Sequence, residues 1–371
     1  MKTIVFLTGE DMLDVDMPVV KEIHKSYDFT WVIILKGYGW FSESFIEEFC
    51  NSNNIKFILL IQNFKLKNPK TPFFHLKVLR LLRSLNPDLI YDSYLGVPFM
   101  HIFSSLFVPQ HKFVIAIHDV IQHYKIKNRA IRSFYYNFLM KKYEKIHLFS
   151  EGQYKEFTKI YPQKKVLLAP LCLKDFGKST LMGTATKNAG ECHFLIFGII
   201  RKNKGVDLLI EAVKLLSLKY PKIIVTIAGK SEGNCWNECE KLIEDKSLFD
   251  LKIRMIENDE VPDLLCKANF MVLPYRDVTQ SGVLLGSYNY GLPVIASDLE
   301  GFNEYVKDGS NGFLFKCGDV QSLAEKMEQA ICLNTTQYSE MKQALNKYAE
   351  EEISVSAISK KYIKYFNENL N

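Results

Sequence analysis

No stretch of this 371-residue chain approaches the ~18 to 20 consecutive apolar residues that a helix needs to cross a bilayer, which excludes a helical membrane span. Its opening, MKTIVFLTGEDMLD, has one Lys and four consecutive apolar residues before Thr, Gly, Glu and Asp, too short an apolar core for a secretory signal. Cysteine is sparse and unpatterned. Of the eight, only Cys235 and Cys239 lie close together, with no His or Cys partner at zinc-ligand spacing. That argues against a disulfide framework or a zinc module and for thiols in a reducing compartment. A soluble, cytoplasmic protein is the expectation.

What is present points to a folded chain of two domains. Hydrophobic residues make up 47% of it and charged residues 24%, enough apolar material for a large core and too little charge for wholesale disorder. Charge is uneven. Residues 1–175 hold 24 Lys and Arg against 16 Asp and Glu, leaving 23 against 26 for the rest. Much of the excess sits in KLKNPKTPFFHLKVLRLLR (65–83) and YKIKNRAIRSFYYNFLMKKYEK (124–145), where cations alternate with Phe, Tyr and Leu at helical spacing. Such helices either lie on an anionic membrane surface or bury an ordinary apolar stripe in the core.

Short apolar runs of strand length recur through the first half: 3–9, 29–35, 55–61, 88–93, 112–119, 145–152 and 164–170. Segments of helical period separate them, which is the pattern of a parallel sheet covered on both faces. A second series follows at 193–198, 222–229, 252–257, 270–275, 293–297 and 312–315. The fold class expected is therefore α/β, two Rossmann-like doubly wound domains at 1–175 and 190–350. Residues 172–190 read as linker, and the helical pattern at 354–371 can pack back on the first domain. Two such domains facing a central cleft would bind ligand at the carboxyl ends of their strands.

Two turns of the second half carry the chemistry. In FLIFGIIRKNKGVDLLIEA (194–212), Arg201 and Lys204 fall between a strand and a helix N-terminus, where a guanidinium fork, an ammonium and first-turn amides can together hold an anion such as a diphosphate. In YRDVTQSGVLLGSYNYGLPVIAS (275–297), Ser281 is a good N-cap and Gly282 leaves the first-turn amides bare, so a phosphate could sit there with Gln280 as an added donor. Solvated loop cations and a plain helix cap are the alternatives for each turn alone. Two such turns after strands of one domain have no reason to converge unless they share a guest.

Those stretches, with the following DLEGFNEYVKDGSNGFLF and GDVQSLAEKMEQAI, resemble the carboxyl-terminal domain of glycosyltransferase family 4 (glycosyl transferases group 1), retaining enzymes of the GT-B fold. The resemblance covers about 193–335. It implies that Arg201 and Lys204 bind the donor diphosphate with Gln280, Ser281 and Gly282, that Gly301 and Glu304 lie by the donor sugar, and that no metal or other cofactor is required. Many members carry two glutamates eight positions apart where this chain has Val278 and Gly286, so it resembles a subgroup in which a Gln-Ser-Gly step serves the phosphates and the ribose contact is open.

Before residue 110 the likeness is weak. KFVIAIHDVIQHY (112–124) is similar to the family's His-Asp turn, and the resemblance gives His118 and Asp119 a part in catalysis at the transferring sugar. GYGWFS (37–42) is a partial dinucleotide fingerprint that a flexible turn explains better. The expected partners are a nucleotide-diphosphate sugar, a glycan or lipid-linked acceptor on the first domain, and an anionic membrane surface at the inner face of the cytoplasmic membrane; nucleic acid is not expected. Surface polysaccharide synthesis follows from the resemblance. A catalytically degenerate sugar-nucleotide-binding scaffold and a sugar-nucleotide epimerase stay open as alternatives.

Overall fold

The structure, a computed structural model, describes all residues except 38, 40, 66, 95–97, 118–128, 182, 184 and 371, and for 98 and 129–132 the backbone alone. The chain divides into two compact units, Met1–Cys172 with Val355–Asn371, and Leu173–Ser354.

Among the described residues the first unit holds seven strands: β1 (Thr3–Gly9), β2 (Asp28–Lys36), β3 (Phe57–Gln62), β4 (Leu89–Asp92), β5 (Phe113–Ile117), β6 (Lys145–Leu148) and β7 (Lys165–Leu168). They form one parallel sheet in the order β3-β2-β1-β4-β5-β6-β7, with Ile4 of β1 opposite Phe29 on one side and Leu89 on the other. Continuous apolar strands suit such a sheet because both faces are covered. On one face, Phe6, Trp31 and Tyr91 pack with Val19 and Val20 of the helix Leu13–Ile23 and with Tyr362 and Phe366. The last two belong to the helix Val355–Asn369, which is held to this unit by bonds from the Tyr27 hydroxyl to the Ile363 carbonyl (3.2 Å) and from the Tyr365 hydroxyl to the Lys165 carbonyl (2.7 Å). On the other face, Val5, Ile90 and Ile115 pack under the helices Thr71–Ser84, Pro98–Phe103 and Arg129–Lys142.

The second unit repeats the plan with β8 (Cys192–Phe197), β9 (Ile223–Ala228), β10 (Phe249–Lys252), β11 (Phe270–Leu273), β12 (Val294–Ser297) and β13 (Gly312–Phe315), all parallel in the order β10-β9-β8-β11-β12-β13. One strand departs from expectation. KIRMIE (252–257) is not the strand; the preceding residues Phe249–Lys252 pair with Val225–Ala228. Arg254 leaves the ladder because its amide turns back to the Lys252 carbonyl and its guanidinium forks onto Glu260 at 2.7 and 2.5 Å. Residues 173–190 are likewise more than a linker. Lys187 is buried there, with its ammonium on the carbonyls of Asn188 and Ile331, both at 2.8 Å.

Among the described residues no helix is long and apolar enough to cross a membrane. Each sheet reverses its strand order once, between β1 and β4 and between β8 and β11, and such switch points are where open α/β sheets take ligands.

Candidate functional site

The two turns singled out in the sequence follow β8 and β11, the strands that flank the switch point of the second unit. β8 is followed by Gly198 (φ +115°), and the chain turns through Arg201–Lys204 to Gly205 (φ +66°), which caps the helix Val206–Ser217. Glycine is required at 205: a Cβ there would lie 1.9 Å from the Pro274 carbonyl oxygen at the end of β11. The turns are then stitched together. The Arg276 amide donates to the Asn203 carbonyl (2.8 Å) and the Asn203 side chain to Asp277 (2.9 Å). The Arg276 guanidinium grips Asp207 through two bonds (2.9 and 2.6 Å) and also reaches the Lys202 carbonyl (2.8 Å). Bidentate pairs of this kind fix orientation as well as adding attraction.

Inside the clasp, the Lys204 ammonium sits 3.6 Å from the centre of the Tyr275 ring. Burial, with the nearby Arg201 charge, draws its pKa down to about 8, and Asp277 opposes them. Tyr275 is fully buried, its hydroxyl pushed up by burial with Ser281 as its opposing polar neighbour. Ser281 is itself buried and caps the helix Gly282–Asn289, its hydroxyl accepting from the Leu284 amide at 3.3 Å. On the other side, Gly198 faces Val283 in that helix's first turn. Lys204, Tyr275, Ser281 and Gly282 therefore share one neighbourhood, next to a hollow lined by Phe197, Gly198, Ile199, Lys204 and Tyr275. The arrangement can hold an anion, with one half-buried cation and the uncapped amides of a helix start on adjoining turns.

Arg201 is placed differently: half exposed, its Nε donates to Glu232 at 2.8 Å. Gly301 lies where a Cβ would come within 2.5 Å of the Thr279 carbonyl, so its bareness lets the 278–280 loop pack down. Glu304 follows the short helix Glu300–Asn303, its carbonyl accepting from the Tyr348 hydroxyl at 3.2 Å. Gln280 stands in the same loop, half buried. His118 and Asp119 lie outside the described residues.

Two residues of the segment read as linker join the site. Lys174 runs its aliphatic stem past Gly282, 3.8 Å from where a Cβ would be, and the Phe176 ring lies 2.6 Å from the Cβ position of Gly286. The Phe176 amide donates to the Tyr290 hydroxyl (3.0 Å), and its ring meets Phe197 edge-on at 6.3 Å. Their only sign in the sequence is the pair of glycines one helical turn apart, which leave room for a strap.

In the first unit the Gly-x-Gly turn closes on the protein's own carboxylate. Glu10 accepts from the amides of Lys36 (2.8 Å) and Phe41 (3.2 Å), and its carboxyl fills the place a Gly39 side chain would take. In the same unit Asp16, the second acid of an Asp14-Val15-Asp16 step, turns inward to Thr8 (2.8 Å) and Ser93 (2.5 Å). Among the described residues no group of three or more His, Cys, Asp or Glu is placed to hold a metal.

Residues 178–352 match the family model of the glycosyl transferases group 1. The matched residues span the whole clasp. Over 135 residues the chain is 27% identical to the lipopolysaccharide core biosynthesis glycosyltransferase LpsE of Rhizobium meliloti, a match covering 36% of this chain and 38% of that protein. The chain spans about two fifths of the length of the curated relatives it matches. Over its full length the fold is similar to a glycosyltransferase from Rickettsia africae (TM-score 0.76, 16% identity, covering 100% of this chain and 99% of that one). It is also similar to HepE of Anabaena, solved in complex with UDP-glucose (TM-score 0.69, 16% identity, covering 99% and 100%). The fold is thus GT-B, two Rossmann-like α/β units.

Proposed function

We propose that the chain is a retaining glycosyltransferase that moves a sugar from a nucleotide-diphosphate donor to a hydroxyl of a glycan or lipid-linked acceptor, in surface polysaccharide synthesis on the cytoplasmic side. The observation that carries this reading is the clasp joining the turns after β8 and β11, which brings Lys204 and the start of the Gly282 helix to one switch point. The group 1 match over the same residues and the UDP-glucose held by HepE support it. The chemistry asks for little nucleophilic work from protein groups. Breaking the anomeric bond leaves charge on the departing diphosphate, and a preorganised ammonium with helix amides stabilises that charge where it develops. Arg201 would join on exchanging Glu232 for phosphate, and His118 would serve the sugar.

The test is calorimetric titration of the protein with UDP, GDP and their sugars. Losing the Lys204 contact should weaken nucleoside-diphosphate affinity by about 1.5 to 3 kcal/mol, the range for a hydrogen bond to a charged group. An unchanged dissociation constant in Lys204→Ala would move the phosphate away from the clasp.

A further inference from the structure

Between residues 49 and 143 the chain carries 14 Lys and Arg and only three acids, Asp88, Asp92 and Asp119, a surplus of +11 in a protein of net charge +5. Asp92 is fully buried, and Asp88 is engaged by the Thr3 amide at the amino end of β4. The described helices of this stretch, Thr71–Ser84, Pro98–Phe103 with the turn Ser104–Leu106, and Arg129–Lys142, cover the same face of the first sheet and touch one another. Lys142 donates to the Ile102 carbonyl (3.3 Å), and the Tyr143 hydroxyl meets both His101 and Ser104 (3.1 and 2.8 Å).

Their inward positions are ordinary core, such as Val78, Leu82, Met100 and Leu139. Their outward positions are not ordinary surface. Phe73, Lys77 and Arg80 fall at i, i+4 and i+7; Phe99, Ile102 and Leu106 at i, i+3 and i+7; Phe134 and Lys141 one heptad apart; all are exposed. Phe73 is 73% exposed, Leu106 70% and Phe134 77%. Single exposed apolar residues are normal, but large apolar tips on three adjoining helices, set among cations, mark an interaction surface.

We infer that this three-helix face docks on an anionic phospholipid bilayer. Phe73, Leu106 and Phe134 reach the acyl boundary, and Lys77, Arg80 and Lys141 lie at the level of the phosphates. A second copy of the chain is disfavoured because two faces of the same strong positive charge repel. A soluble polyanion would use the cations and gain nothing from Leu106 or Phe134. The inference stands apart from the transfer reaction, since docking is measured without turnover.

The experiment is flotation of the full-length protein with vesicles of phosphatidylcholine alone or with about 30% phosphatidylglycerol, in ~0.1 and ~0.5 M salt. Flotation with the anionic vesicles only, weakened by salt, is expected. The triple variant Phe73→Ser, Leu106→Ser, Phe134→Ser should partition about tenfold less or lower still. The double variant Lys77→Ala, Arg80→Ala should lose roughly 30-fold, about fivefold for each cation near the surface. Both variants should keep the wild-type unfolding temperature and nucleotide affinity. No flotation of the wild type on anionic vesicles overturns the inference. So does heparin binding as tight as vesicle binding with neither changed in the triple variant, which would assign a soluble polyanion. A concentration-dependent dimer abolished by the triple variant, without flotation, would assign a second copy. Failure to bind any nucleotide would sink the donor reading and leave this one standing.

Discussion

Lys204 is the residue whose protonation matters most to the clasp. Its pKa, lowered to about 8 mainly by burial, makes it cationic at neutral pH but not far above. A diphosphate binds the charged form, so nucleotide affinity should be level below about pH 7 and fall as the pH passes 8. Lys204→Arg, which keeps its charge, should hold that affinity to higher pH. Titrations at pH 7 and 9 check this, and a parallel decline in the two proteins would contradict it. Asp16 offers a stability test. Burial raises its carboxyl from 3.8 to about 7, against the bonds from Ser93 and Thr8 that lower it. The folded state thus keeps a proton that the unfolded chain releases above its ordinary pKa. The stability Asp16 contributes is present at low pH and lost as pH rises to about 7, with a slope of up to about 1.4 kcal/mol per pH unit. Asp16→Asn should flatten that dependence in urea unfolding between pH 5 and 8. At Gly205, alanine would incur roughly 1 to 2 kcal/mol for the left-handed backbone and roughly 1 to 3 more for the collision with Pro274, and nucleotide affinity should fall with it.

At the scale of elements, the strap over the helix Gly282–Asn289 makes a sharper claim. Alanine at 286 would put its Cβ 2.6 Å from the Phe176 ring, so Gly286→Ala should destabilise the second unit by about 1 to 3 kcal/mol. In a Phe176→Ala background the same change meets no ring and gains helix propensity, so it should be close to neutral or favourable. A double-mutant cycle measures the difference, and additivity would show that ring and glycine do not touch in solution. The strap also marks where the sequence stops being legible. Strands β1 and β13 were readable to the residue because apolar runs bounded by Gly and polar residues leave no other end point. The turns at 201–205 and 280–282 were readable because cations, a cap and bare glycine coincide there. The Arg276–Asp207 grip and Phe176 were not, since each joins residues 69 or more positions apart whose types occur in any loop. KIRMIE failed because its apolar alternation suits a strand, whereas pairing ends at Lys252, where the Arg254 amide turns back to the Lys252 carbonyl.

For the whole molecule, two separate cores mean that damage to one unit need not reach the other. The helix Val355–Asn369 is the clearest place to ask, because it closes the chain on the unit where the chain began. Phe366 is fully buried between Tyr27, Tyr91 and Tyr362, its ring centre 6.3, 6.1 and 5.9 Å from theirs. Phe366→Ala removes that contact and leaves a void the surrounding rings only partly close, a loss of about 3 to 5 kcal/mol. Amide exchange should show it as faster opening of β1, β2 and β4, whose side chains share that core. β8, β9 and β11 should keep their protection, and nucleotide binding by the second unit should keep its affinity. A uniform loss of protection across both sheets would mean that the two units unfold as one, and the clasp could then no longer be treated as a property of the second unit by itself.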